Sequence, residues 1–225
     1  MKPVVADYEQ LFYTGKYDEA VSTISAMSTL SAREAAVLGI SLLRLGDLTE
    51  AESQLDAAMH LGDQEASVEY GNWLRAVGRL EDAASHLTQI LPGLNGELEY
   101  RATRWIGVIY FQSGKIKEAI RHLETSRRGY NLLKDRLNEA KVCQNLSAIY
   151  NDIGDVKKTS ILLESAISIF RSLSYKNLLI QSLYNLILLK ITTSKISDIG
   201  DVTKELEDLI TGEVSHTLDV ENCFA

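Results

Sequence analysis

The chain has 225 residues, 45% hydrophobic and 24% charged, which is enough apolar content to bury a core and excludes wholesale disorder. Two prolines and fourteen glycines are too few for an all-β chain, and the longest apolar stretch, Leu178 to Leu189, is broken by Gln181, Ser182 and Asn185; it falls short of the ~20 residues of a membrane-spanning helix. The net charge of -8 is uneven: residues 1–100 carry 6 Lys/Arg against 16 Asp/Glu, residues 101–171 carry 13 against 7, and residues 172–225 carry 4 against 8.

The chain opens Met1-Lys2-Pro3-Val4-Val5-Ala6-Asp7-Tyr8, without the apolar core of a secretion signal, so a cytoplasmic location is expected. From there a Gly-x-x-x-acidic/Lys-Ala/Thr string recurs down the sequence. Its copies are Gly15-Lys16-Tyr17-Asp18-Glu19-Ala20, Gly46 to Ala51, Gly78 to Ala83, Gly114 to Ala119 and Gly154 to Thr159, with starts 31, 32, 36 and 40 residues apart. A further 40 residues on, Ser194 to Ile199 keeps the string without its glycine and reads as a degenerate sixth copy. Each glycine separates two stretches of helical periodicity, where it can end the first helix in a left-handed conformation that costs other residues energy.

Before each turn runs a first helix, with stripes such as Leu38, Leu42, Leu45 and Ile106, Ile109, Tyr110. Gly39, Gly71 and Gly107 each lie seven residues ahead of a turn glycine, and so small a residue lets two helices approach closely. After each turn runs a second helix, with Leu48, Ala51, Leu55, Ala58, Met59 in one copy and Leu80, Ala83, Leu87, Ile90, Leu91 in the next. The expected architecture is all-α: a solenoid of about six antiparallel helix pairs over residues 1–210, with short repeats in 1–92 and extended ones in 97–210. Residues 93–99, containing Gly93, Asn95 and Gly96, are expected to form a flexible joint, and 211–225 a tail with little regular structure.

The pattern resembles the tetratricopeptide repeat family, which implies that the helix pairs wind into a right-handed superhelical solenoid. One repeat reads Gly39, Leu42, Gly46, Glu50, Ala51, Leu55, Ala58, and another Gly107, Tyr110, Gly114, Glu118, Ala119, Leu123. The resemblance covers the chain to about Leu209. It departs from the family in the first copy, where Tyr8 stands at the small position, in the fifth, with Ser147 and Thr159, and in lacking, except for Pro92 nearby, the proline that usually closes a repeat. The later, longer repeats are similar to those of bacterial signalling regulators and kinesin light chains.

No nucleotide loop, zinc site, nucleophile elbow or acidic metal loop has its spacing here, so no enzyme activity, cofactor or metal is expected. Cys143 reads as a small core residue, and with Cys223 far away in the tail no disulfide framework is indicated. His86 and His122, eight residues after their turn glycines, read as a surface pair. Trp73 and Trp105 read as packing residues of first helices, with Trp105 expected to reach the groove partly exposed.

The resemblance places binding on the groove lined by first helices. There the candidate residues are Asn72 and Arg75, Arg101 and Arg104, Lys141, Gln144 and Asn145, and Asn185. Guanidinium groups suit carboxylates, and asparagine pairs with both groups of a peptide main chain. Val5 and Glu9 stand where the carboxylate clamp of chaperone cofactors would need Lys and Asn, which disfavours chaperone tails as partners. The expected function is a protein- or peptide-binding scaffold, an interaction or regulatory sensor module holding an extended acidic segment of a partner. The alternatives are a substrate-recruiting or sensory fragment of a longer enzyme or transcription regulator, and an RNA or polyanion binder acting through the basic middle. No membrane partner is expected, nucleic acid is disfavoured, and the oligomeric state is open.

Overall fold

In the computed structural model the described residues are 8–193 and 199–211, and every regular element among them is helical. Twelve α-helices follow one another as six pairs: α1 (Tyr8–Tyr13) with α2 (Tyr17–Ser25), α3 (Ala32–Leu45) with α4 (Leu48–His60), α5 (Gln64–Ala76) with α6 (Leu80–Ile90), α7 (Gly96–Gln112) with α8 (Ile116–Leu133), α9 (Arg136–Asp152) with α10 (Val156–Ser172), and α11 (Lys176–Thr192) with α12 (Ile199–Thr211). The sixth turn string, Ser194 to Asp198, and residues 212–225 lie outside the described residues.

The turn glycines act as their spacing requires. Gly15, Gly46, Gly78, Gly114 and Gly154 all take positive φ, from 73 to 85°. The next residue then donates its amide back along the helix just ended, as Asp47 N does to Leu42 O at 3.0 Å and Asp155 N to Tyr150 O at 2.8 Å. Asp47 and Asp155 also cap the following helix, accepting from the amides of Glu50 and Lys158. Between repeats the same left-handed turn is made without a glycine at Lys134 (φ 57°) and Ser174 (φ 60°), so no sequence signal marks it there.

By its contacts the chain falls into two compact halves, Met1–Ile109 and Tyr110–Ala225. In the N-terminal half, Ala51, Leu55, Ala58, Ala83 and Leu87 are fully buried against first helices. A Cβ added at Gly39 would lie 2.9 Å from both Leu55 N and Leu55 Cγ, and one at Gly71 would lie 2.5 Å from Leu87 Cγ, so these positions accept no side chain without movement. Trp73 packs with Tyr70 and donates its Nε1 to Leu48 O at 2.7 Å. The 3₁₀ turn Leu91–Gly93 closes α6, and α7 starts at Gly96, so the expected joint over 93–99 is reduced to residues 94 and 95, with Leu94 tucked inward.

In the C-terminal half, Cys143, Leu163, Ala166, Phe170, Leu183 and Leu186 form the core, and Val202, Leu206 and Leu209 of α12 pack onto it while Lys204, Glu207, Asp208 and Thr211 of that helix stay in solvent. Burial pushes the Cys143 thiol above its ordinary value, which suits an inert core residue. Each histidine has partners in its own half: half-buried His86 sits 2.8 Å from Ser67 O and against Tyr70, and half-buried His122 packs on Tyr110.

Candidate functional site

Counting thirteen residues back from the turn glycines gives Arg33, Glu65, Arg101 and Lys141, and thirteen back from Ser194 gives Gln181. These residues stand at one depth in successive first helices, and in the N-terminal half their charges alternate. The structure pairs them. Arg33 Nη1 donates to Glu65 Oε2, its Nε to Glu9 Oε1 at 3.0 Å and its Nη2 to Tyr13 Oη at 2.9 Å. Glu65 Oε1 accepts from Arg101 Nη1 at 2.6 Å, while Arg101 Nε and Nη2 fork onto the two oxygens of Glu97, both at 2.9 Å. Arg101 Nη1 also lies 3.4 Å from Glu69 Oε1.

Burial works against the charges of Glu65 and Arg101, and their partners outweigh it. Desolvation alone would raise the Glu65 carboxyl, but Arg101 and Arg33 hold it below the usual carboxylate range. Desolvation would likewise lower Arg101, and Glu69, Glu65 and Glu97 together hold its guanidinium well above its ordinary value.

Beneath this ladder lies a second network with almost no solvent access. Glu69, 0% exposed, accepts from Arg44 Nη2 at 3.2 Å and Asn72 Nδ2 at 3.1 Å, and Asn72 Oδ1 accepts from Arg75 Nε at 3.0 Å. The guanidinium carbons of Arg75 and Arg104 stand 5.1 and 4.0 Å from the centre of the Trp105 ring. Trp105 is therefore fully buried, contrary to the expected partial exposure, because two cations cover its ring.

Four of the residues singled out from the sequence, Asn72, Arg75, Arg101 and Arg104, thus sit in one connected network of the N-terminal half. Asn72 and Arg75 lie six and three residues before Gly78, about two and three turns respectively along the helix from the register of Arg101. Their network partners Arg33, Arg44, Glu65, Glu69 and Glu97 were not singled out, although the thirteen-residue register would have shown Arg33 and Glu65.

In the C-terminal half the carboxamides Gln144, Asn145, Gln181 and Asn185 lie on the first helices α9 and α11. Gln144 Nε2 donates to Gln181 Oε1 at 3.0 Å, tying α9 to α11. Gln144 Oε1 and Asn145 Oδ1 are buried and receive no hydrogen bond from the described residues. Asn185 stands on α11 at the position that Asn145 occupies on α9, nine residues before the turn string. It is half-buried, as is Lys141. Next to Asn185, Tyr184 is 54% exposed, and one turn further Leu188 is 42% exposed. This face offers hydrogen-bond acceptors beside apolar surface, with little charge. Among the described residues no group of histidine, cysteine and carboxylate side chains could hold a metal ion, and no described helix is long and apolar enough to cross a membrane.

No family model matches the sequence, and no curated protein matches it. The fold, by contrast, is shared with solved structures. A Rap conjugation gene regulator of the plasmid pLS20, in complex with the Phr* peptide, superposes with a TM-score of 0.74 at 15% identity, over 92% of this chain and 62% of that one. A Rap protein complexed with competence and sporulation factor gives 0.71 at 12% identity, over 92% and 75%. BtubC from P. vanneervenii gives 0.66 at 17% identity, over 92% of each chain. At such identities the likeness establishes the fold, a tetratricopeptide-like array of helix pairs.

Proposed function

We propose that this chain is a non-catalytic repeat scaffold that binds an extended segment of another protein, and that the main contact surface is the face of α9 and α11. The observation that carries this reading is the pair of buried acceptors, Gln144 Oε1 and Asn145 Oδ1, which receive no hydrogen bond from the described residues. A buried polar atom left unpaired costs ~1–3 kcal/mol, and the main-chain N–H groups of an extended peptide are donors of the right kind to satisfy it. Asn185 on the next first helix continues the row, and Tyr184 and Leu188 supply apolar area for side chains. Two neighbours of like fold were solved in complex, one with a peptide and one with competence and sporulation factor, which supports the reading for this chain.

In this proposal Asn72, Arg75, Arg101 and Arg104 shape the N-terminal half, since Arg101 already meets three carboxylates of its own chain. An acidic ligand at Arg101 would have to displace Glu65 or Glu97, exchanging one ion pair for another with little net gain.

The test is selection of peptides from a displayed library on the immobilised chain, with counter-selection on an Asn145→Ala, Asn185→Ala variant. Peptides that bind the natural chain and lose roughly tenfold or more on the variant, with weak salt dependence, are the expected result. If the selected peptides bind the variant equally well, this face is not the site.

A further inference from the structure

The excess of positive charge in residues 101–171 is used in different ways along the chain. Several described cations face a carboxylate of their own chain: Lys16 meets Glu19, Arg79 meets Asp82, Arg127 meets Glu124, Arg136 meets Glu139, Lys158 meets Asp155 and Arg171 meets Glu205. Lys117, Arg121 and Arg128 of α8 are exceptions. All three are exposed, and none has a carboxylate within 4.0 Å among the described residues; Arg128 Nη2 reaches only Thr125 Oγ1 at 3.3 Å, and Arg121 Nη2 only His122 Nε2 at 3.3 Å.

Their spacing puts them on one stripe. Positions 117, 121, 125, 128 and 132 recur every three or four residues, so Lys117, Arg121, Thr125, Arg128 and Leu132 share the solvent face of the helix. At 1.5 Å per residue the cations span roughly 16 Å, with Leu132 one turn beyond Arg128. Leu132 is 78% exposed, more than any other described large hydrophobic residue. The opposite face, with Ala119, Leu123, Ser126 and Tyr130, is fully buried, so the stripe is held on a rigid support.

We propose that the solvent face of α8 is a second interaction surface, separate from the α9–α11 face, that takes an acidic polypeptide segment: carboxylates over Lys117, Arg121 and Arg128, and an apolar side chain over Leu132. Cations that meet no carboxylate among the described residues can gain from an incoming one without breaking any of the pairs described above. The same stripe fits nucleic acid poorly. It carries no aromatic side chain on which a base could stack, and the whole chain's charge of -8 repels an extended polyanion, whereas a short acidic segment meets only the local field.

The experiment uses the full chain and fluorescence anisotropy with three probes: a labelled peptide whose glutamates and leucine repeat the spacing of Lys117, Arg121, Arg128 and Leu132, its glutamine counterpart, and an oligouridylate. The glutamate peptide is expected to bind roughly tenfold or more tighter than the glutamine peptide, and to weaken several-fold between low and physiological salt. Lys117→Glu, Arg121→Glu, Arg128→Glu together should abolish that binding with an unchanged helical circular dichroism spectrum. Leu132→Ser should weaken binding several-fold and keep the salt dependence, and Asn145→Ala, Asn185→Ala should leave it intact. Equal binding of the glutamate and glutamine peptides overturns the proposal. So does a triple variant that binds like the natural chain, or tighter binding of the oligouridylate.

Discussion

Gly39 and Gly71 occupy the same place in successive first helices, yet alanine should be tolerated differently at each. An alanine in a helix interior gains ~1 kcal/mol over glycine from backbone propensity. Against that, the new methyl at position 71 would lie 2.5 Å from Leu87 Cδ2 and Cγ, an overlap with side-chain atoms only. Overpacking of this kind costs ~1–3 kcal/mol, so Gly71→Ala should destabilise the N-terminal half by up to ~2 kcal/mol. At position 39 the methyl would also lie 2.9 Å from Leu55 N, a backbone atom that cannot rotate away. Trimming the partner separates the two cases. Leu87→Ala alone should cost ~2–5 kcal/mol, and in the double variant the methyl added at position 71 enters the vacated space, so the pair should cost less than the sum by about 1 kcal/mol or more. Leu55→Ala leaves the backbone contact at position 39 in place, and its coupling with Gly39→Ala should be smaller. Urea titrations followed by circular dichroism give the four values needed for each cycle. If Gly71→Ala stabilises the chain and is additive with Leu87→Ala, the close helix approach assigned to these glycines is wrong.

Three other perturbations probe the charge networks and the turns. Glu69→Ala should cost ~3–5 kcal/mol, read from the urea midpoint, because it removes a carboxylate that buried Arg44 and Asn72 both contact. The Glu65 carboxyl titrates lower in the folded chain than in the unfolded one, so it contributes stability that is complete above its unfolded value near ~4.3 and is lost as pH falls through the folded value below it. Glu65→Gln should therefore lower the melting temperature at neutral pH and narrow its difference from the natural chain as the solution is acidified; a constant difference down to strongly acidic pH would refute the pairing. Lys134 holds a left-handed φ of 57° at the end of α8, so Lys134→Gly should raise the unfolding midpoint by up to ~1 kcal/mol if strain relief exceeds the added freedom of the unfolded chain, and a loss would show that the lysine holds this turn at no cost.

The sequence alone determined the helix pairs. A helix end depends on residues within one turn of it, so Gly46 followed by Asp47, or Gly154 followed by Asp155, states the break, the left-handed turn and the next cap in a few positions. The apolar period around Leu48, Ala51 and Leu55 states which face is buried. Where the turn lacks glycine, at Lys134 and Ser174, the backbone makes the same conformation with no residue to announce it. What only the tertiary structure decided is which charges meet. Arg101 reads from sequence as a cation open to an acidic partner, but Glu65 and Glu69, 36 and 32 residues earlier, hold it together with Glu97 on its own helix. Lys117, Arg121 and Arg128 look no different in the sequence, and they face solvent with no carboxylate within 4.0 Å among the described residues. Backbone conformation is set by neighbours along the chain, so it can be read residue by residue. Coulomb interactions fall off with distance in space, and the stacking of one helix pair on the next is what brings carboxylates within reach of Arg101 and leaves the outer stripe of α8 without them.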